Sequence, residues 1–257
     1  MNKQIMQNLT DIRKFLLSAY YHESASQTEV HNFLRNLLKY VFNFHNIEGN
    51  DYEVVFKHIQ NKSTDDYEAK IIRYYNHPKK FDILLNSKFK SYKYQTNDDA
   101  SNFFSFIYFI LHELGHIIQN IEDPEKSEQN DDFLELLEFA PDIISDYSTS
   151  KEKRLIIKAL KKYLNAQEFM SYIERDANKK AYIYFVSILE NLIGMEQDDE
   201  FADFLCSLRT FLEQIKKDNY SLYKQYGQEN QEAIQRLEEL NFEDELFLSV
   251  STMLKSN

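Results

Sequence analysis

Glycine and proline, the residues that most often interrupt helices, are scarce in this sequence. Its 257 residues include four glycines and three prolines. In a helix interior, glycine costs about 1 kcal/mol relative to alanine, and proline costs about 3 kcal/mol. So few interruptions predict long helices over most of the chain.

Hydrophobic residues recur every three or four positions in several segments, which is the spacing of a helix with one apolar face. Residues 5–21 and 28–44 show it most clearly, and from residue 99 the pattern is helical almost to the end. We predict further helices over the later segments that share this spacing, namely 132–139, 151–164, 167–193 and 199–217, with a helical pair within 228–255.

Residues 52–85 show a different pattern, with short runs of β-branched and aromatic residues separated by polar turn residues. Such runs are typical of strands. We predict three strands, centred on 54–56, 71–75 and 81–85, in one small antiparallel sheet. The predicted fold class is therefore α+β and predominantly helical.

The changes of pattern divide the chain into three predicted segments. Residues 1–50 form an N-terminal helical segment, 51–195 a core that includes the sheet, and 196–257 a C-terminal helical segment. At this length the three could also form one continuous domain.

The balance of charge argues against some classes of partner. Thirty Lys and Arg stand against 42 Asp and Glu, which gives a net charge of −12. Such an excess of carboxylates opposes binding to nucleic acid phosphates. The longest apolar run, 106–111, is far shorter than the roughly 20 residues of a membrane span. We expect a cytoplasmic protein that binds neither nucleic acid nor membrane.

A single cysteine, Cys206, excludes an intrachain disulfide and a zinc site rich in cysteine. A lone thiol fits a reducing compartment. Cys206 lies among Phe201, Phe204 and Leu208, so we predict a buried core thiol.

The segment from Ile110 to Ile118 contains the pattern H-E-x-x-H, formed by His112, Glu113 and His116. A four-residue step turns a helix by about 400° and advances it by about 6 Å, so both histidines lie on one face. Two such histidines can bind one metal ion, and zinc is the expected cofactor. Glu113 lies beside the first histidine, where it can take a proton from a water held at the metal.

The residues that flank this motif are apolar on both sides. Polar side chains in such a helix are costly unless they bind a metal or form hydrogen bonds. Gly115 lies between the two histidines, and a glycine inside a helix predicts the close approach of another element.

A catalytic zinc site needs a third protein ligand. The best candidate is Glu174, which lies on a predicted helix with Asn178 four positions later. Both side chains can face the H-E-x-x-H helix. Glu174 would bind zinc, while Asn178 could hydrogen-bond the outer nitrogen of a ligand histidine and fix its orientation.

Two motifs, His112 to His116 (H-E-L-G-H) and Glu174 to Asn178 (E-R-D-A-N), resemble those of the gluzincin zinc metallopeptidases. Within that group, they resemble those of the bacterial and phage ImmA/IrrE-like proteins. The resemblance implies His112, His116 and Glu174 as zinc ligands, with Glu113 as the general base and the last residue of the second motif in a supporting role. It covers residues 67–193, and it leaves the N-terminal helices and the tail unexplained.

The two motifs lie farther apart than this family usually shows, so we expect a helical insertion between them. A nearer pair, Glu138 and Asp142, has the E-x-x-x-D spacing. Pro141 disfavours a continuous helix through that pair, because proline removes a helical hydrogen bond. We favour Glu174 as the third ligand over Glu138, with Asp142 or Asp146 as weaker candidates.

The predicted function is zinc-dependent hydrolysis of peptide bonds, with a protein or peptide as the substrate. The sheet edge beside the metal helix can accept an extended peptide by strand addition, and we expect residues 81–85 to lie near the site. The alternative is a catalytically silent zinc-binding protein with a regulatory or protein-interaction role, since the motifs leave much of the chain unexplained.

Overall fold

Long helices dominate the part of the chain that the computed structural model describes. That part is residues 3–21, 24–59, 69–74, 76–86, 92–93, 99–127, 155, 158–160, 162–163, 166, 171–193 and 199–239. The helices are α1 (Lys3–Tyr21), α2 (Gln27–Phe44), α3 (Asp99–Glu122), α4 (Tyr172–Ile193) and α5 (Asp199–Glu239). The strands are β1 (Ser24–Ala25), β2 (Glu53–Ile59), β3 (Ala69–Arg73), β4 (Lys80–Asn86) and β5 (Tyr92–Lys93). None of the described helices is long and apolar enough to cross a membrane.

The α+β, predominantly helical fold class is confirmed, and the structure adds detail at the helix ends. A capping box at Ser26 starts α2, because its hydroxyl accepts from the Glu29 N–H while the Glu29 carboxylate accepts from the Ser26 N–H. The predicted helix over 132–139, most of that over 151–164 and the tail beyond 239 lie outside the described residues.

Helix α5 is much longer than predicted, since it runs for 41 residues to Glu239 instead of ending at residue 217. The apolar spacing fades after that point, but polar pairs one turn apart continue. Gln225 donates to Glu229 and Gln228 donates to Glu232. Such pairs stabilise the exposed side of the helix, while Ala233 and Leu237 are buried.

Cys206 on α5 is exposed, so the prediction of a buried thiol was wrong. Phe201, Phe204 and Leu208 are buried and lie three and four positions apart, which places them on one face of the helix. Cys206 is two positions from Phe204 and therefore points away from that face.

The three central strands form a mixed sheet with the order β2-β4-β3. β3 runs antiparallel to β4, while β2 runs parallel to it. The prediction of a fully antiparallel sheet was wrong, because it assumed that consecutive strands pair. β4 lies between β2 and β3, and the chain reverses direction twice before it forms β4. The strand pair β1 and β5, which is antiparallel, was not predicted.

Aromatic side chains join the two N-terminal helices to α3. Phe15 of α1 stacks on Phe33 of α2 with ring centroids 4.1 Å apart, and it lies 6.5 Å from the Phe103 ring of α3. The buried face of the sheet, which includes Phe81 and Ile83, belongs to the same apolar cluster. The sheet and the early turns of α3 therefore share one core.

The chain divides into two compact units, each formed by two separate stretches. One contains Met1–Ile121 and Asp176–Ile215, and the other contains Glu122–Arg175 and Lys216–Asn257. The three boundaries fall before the last residue of α3, inside α4 and inside α5. The predicted division into three consecutive segments stays a prediction.

Candidate metal site

Helix α3 carries the H-E-x-x-H motif in its buried second half. The rings of His112 and His116 meet edge to face, with their centroids 4.6 Å apart. Their Nε2 atoms lie 3.0 Å from each other. Both histidines therefore direct the same ring nitrogen toward one point, as the four-residue spacing predicts.

Glu174 lies in the first turn of α4, and a local hydrogen bond explains that position. The Ser171 side chain accepts from the Glu174 N–H at 3.2 Å, as an N-cap residue does for the third residue of a helix. One ligand atom each from His112, His116 and Glu174 lie within 4.8 Å of one another. The structure thus brings together the three residues that the sequence predicts as ligands, and this group could hold a metal ion.

The donor set and its geometry fit a divalent metal. Two imidazole nitrogens and one carboxylate oxygen are the ligands of many three-ligand zinc sites. Two Nε2 lone pairs at 3.0 Å would repel each other unless a cation or a proton lies between them. The arrangement of His112 and His116 is therefore one that a cation stabilises.

Asn178 holds the outer nitrogen of His112, as the sequence predicts. The His112 Nδ1 lies 3.2 Å from the Asn178 Oδ1, and since an amide oxygen only accepts, Nδ1 is the donor. The Tyr108 hydroxyl donates to the Asn178 backbone carbonyl at 3.1 Å. This contact ties α4 to α3 beside the histidine. A proton on Nδ1 leaves Nε2 to bind a metal.

A second chain of hydrogen bonds lies behind His116, and the sequence reasoning missed it. The His116 Nδ1 lies 2.9 Å from the Gln119 Oε1, and the Gln119 Nε2 donates to the Asp176 Oδ2 at 3.0 Å. Lys180 forms an ion pair with the same Asp176 oxygen at 2.7 Å. Two features of the sequence could have indicated this network. Gln119 lies one turn after His116, and Asp176 lies between Glu174 and Asn178.

Asp176 remains charged within this series of hydrogen bonds. Burial raises the pKa of its carboxyl, but hydrogen bonds from Lys180 and Gln119 lower it by more, so the pKa lies below its ordinary value. The carboxylate therefore acts only as a hydrogen-bond acceptor near neutral pH.

Glu113 contacts strand β3 through its carboxylate. Its side chain is 9% exposed, and its Oε2 accepts from the Ile71 backbone N–H at 2.9 Å. That N–H must point away from β4. Because backbone groups alternate along an antiparallel pair, residues 69, 71 and 73 present their polar groups to this same side of β3.

Strand β3 is an edge strand among the strands that the structure describes, since it pairs with β4 alone. β4 contains residues 81–85 and is paired on both sides. The expectation that residues 81–85 lie near the site stays a prediction, and the strand that contacts Glu113 is β3. Sequence alone did not show that the last of the three strands lies in the middle.

Gly115 marks a close approach of α4, as its place inside the motif predicts. A Cβ atom there would lie 3.2 Å from the Ala177 Cα and 3.3 Å from the Ala177 carbonyl oxygen. Few real Cβ atoms have backbone neighbours this close. The absence of a side chain at Gly115 lets the two helices that carry the candidate ligands approach each other.

The alternative ligands Glu138, Asp142 and Asp146 lie outside the described residues. No protein-family model, curated protein or solved structure matches this chain. Function is therefore inferred from the side chains and their geometry.

Proposed function

We propose that this protein is a zinc-dependent peptidase, of the kind that the gluzincin resemblance implies. The observation that supports it is the convergence of the His112, His116 and Glu174 ligand atoms within 4.8 Å. Two imidazoles with one carboxylate favour zinc over magnesium or calcium, which prefer oxygen ligands. A lone cysteine, Cys206, is consistent with a cytoplasmic location.

The three ligands would hold the ion and leave a position for water and substrate. When bound, zinc supplies a Lewis acid that polarises a peptide carbonyl and lowers the pKa of a water. Asn178 keeps the His112 Nδ1 protonated, so that Nε2 can bind.

Glu113 is the proposed general base. It is not part of the ligand group, and it follows His112 directly on α3. A carboxylate has about four lone-pair sites, so the Ile71 N–H at Oε2 leaves capacity for a water. Glu113 would take the proton of the attacking water and return it to the leaving nitrogen.

The edge of β3 is the proposed place for the peptide. An extended peptide can add to the side of β3 that carries the backbone groups of residues 69, 71 and 73. The Ile71 amide lies on that side and contacts Glu113. A peptide aligned there would have its backbone next to the general base, which supports a protein or peptide substrate.

A Glu113→Gln variant tests the proposal. Glutamine keeps the shape of the side chain but cannot accept the proton, so hydrolysis should slow by about 100-fold or more while zinc content stays at the parent value. The measurement is cleavage of a proteome-derived peptide library by the zinc-loaded protein, with new termini detected by mass spectrometry.

Glu122→Gln is the matched control, because it makes the same change at an exposed position on the same helix. Equal cleavage by the parent and Glu113→Gln would contradict the proposed mechanism. A parent that holds zinc but cleaves nothing would favour the alternative of a catalytically silent zinc-binding protein.

A further inference from the structure

Gln119 connects His116 to a charged pair on the neighbouring helix. His116 and Gln119 are both buried, with 8% and 7% of their surface exposed. The Gln119 Oε1 lies 2.9 Å from the His116 Nδ1, and its Nε2 lies 3.0 Å from the Asp176 Oδ2. Lys180 holds that Asp176 oxygen at 2.7 Å, which completes the chain.

The ion pair of Asp176 with Lys180 determines which way the Gln119 amide points. A carboxylate can only accept, so the amide must turn its NH₂ group toward Asp176. Its oxygen then faces His116. Because an amide oxygen can only accept as well, the His116 Nδ1 must carry a proton, and Nε2 is the nitrogen left for a metal.

We propose that Gln119 is a positioning residue that fixes the ring tautomer of His116, with its own orientation set by Asp176 and Lys180. The inference rests on the metal site of the proposed function. It adds that the affinity for zinc depends on a side chain that does not bind the ion. Partners that orient a ligand histidine typically change metal affinity by about 10- to 100-fold when they are removed.

The test compares the zinc affinity of two variants with that of the parent. In Asp176→Ala, the side chain at position 176 no longer accepts from the Gln119 NH₂ group, so the fixed orientation of the Gln119 amide is lost. We expect zinc to bind about tenfold more weakly or worse, by competition with a chromophoric chelator. Glu190→Ala is the matched control, because it removes one exposed carboxylate from the same helix and should bind zinc as the parent does.

The double variant Gln119→Glu with Asp176→Ala separates positioning from support of the fold. A carboxylate at position 119 accepts from the His116 Nδ1 in either orientation, so it needs no partner at position 176. We therefore expect the double variant to regain parental zinc affinity. Both variants lose the ion pair with Lys180, so a merely structural role for Asp176 would leave the double variant as weak as the single one.

Thermal unfolding of the metal-free proteins gives the second readout. If Asp176→Ala binds zinc as the parent does, or loses affinity only because less of the protein is folded, the inference is overturned. A parent that binds zinc and cleaves no peptide would overturn only the proposed peptidase. A parent that binds zinc no better than His116→Ala would overturn both.

Discussion

Asp82 is a buried charge in the central strand of the sheet. It is 1% exposed and accepts hydrogen bonds from the Lys57 ammonium and the Tyr74 hydroxyl. Burial raises the pKa of the Asp82 carboxyl, but the donors Lys57 and Tyr74 lower it by more. The folded state therefore holds the carboxylate form more strongly than the unfolded chain does.

We predict that Asp82 makes stability depend on acid pH. A carboxyl with a lowered folded pKa contributes stability above its unfolded pKa, near 4, and this is lost as the pH falls through the folded value. Asp82→Asn should lower the free energy of unfolding by about 1–3 kcal/mol at pH 7 and by less at pH 3. Urea unfolding of metal-free protein at both pH values measures this.

Glu53→Gln provides the comparison, because Glu53 pairs with Lys80 on the same sheet but is 61% exposed. An exposed pair contributes at most about 1 kcal/mol. An Asp82→Asn loss that is the same at pH 3 and pH 7 would contradict the assigned role of the charge.

Among single residues, spacing along a helix explains which parts of the site could be predicted. His112 with His116, and Glu174 with Asn178, each lie one turn apart, so one face holds both members. Gln119 could not be assigned in this way, because its role depends on Asp176 of another helix. The bond between Glu113 and Ile71 likewise depends on which strand forms the edge.

At the level of elements, the approach of α3 to α4 depends on Gly115. We predict that Gly115→Ala lowers the free energy of unfolding by about 1–2 kcal/mol. Overpacking costs about 1–3 kcal/mol, and the better helix propensity of alanine returns up to about 1 kcal/mol. Zinc affinity should fall as well, because the added Cβ pushes on the Ala177 backbone next to the candidate ligands.

Gly227→Ala is the control, and we expect it to raise the free energy of unfolding instead of lowering it. Gly227 lies within α5 and is partly exposed, so the same change should stabilise the protein by up to about 1 kcal/mol. Urea unfolding and zinc competition on both variants test the pair. If Gly115→Ala stabilises as Gly227→Ala does, the two backbones have room to separate at no cost.

The position of a helix or strand was predicted well where a local sequence pattern determines it. The arrangement of strands was predicted poorly, because it depends on which strands pair with each other. The apolar spacing located α1 and α2, and the β-rich runs located β2, β3 and β4. The order of those strands depends on contacts distant in sequence, and the antiparallel prediction failed there. Helix α5 was predicted too short because polar residues, such as the pair of Gln225 with Glu229, interrupt its apolar spacing after residue 217.

For the whole molecule, a bound metal should appear as added stability. Zinc that binds only the folded state stabilises it by about 4 kcal/mol when free zinc is about 1,000 times its Kd. We predict a higher Tm with zinc than with a chelator for the parent. This rise in Tm on adding zinc should vanish in His112→Ala, which lacks one of the proposed ligands.

Thermal unfolding with and without chelator, followed by circular dichroism, measures this shift. Cys206→Ser is a suitable control, since it removes the one thiol, which is exposed and lies outside the ligand group. An equal zinc shift in the parent and His112→Ala would mean that zinc acts at another place on the protein.

The contact at Gly115 also bears on how rigid the candidate site is. A Cβ built there would meet the Ala177 backbone within 3.2 Å, so little empty space separates α3 from α4 at that point. Close-packed protein interiors have low compressibility. The gap between the two helices can therefore shrink very little under an applied force. At this point, the closest approach of α3 and α4 is limited by the hard repulsion of two backbones, which is much stiffer than the rotation of any side chain.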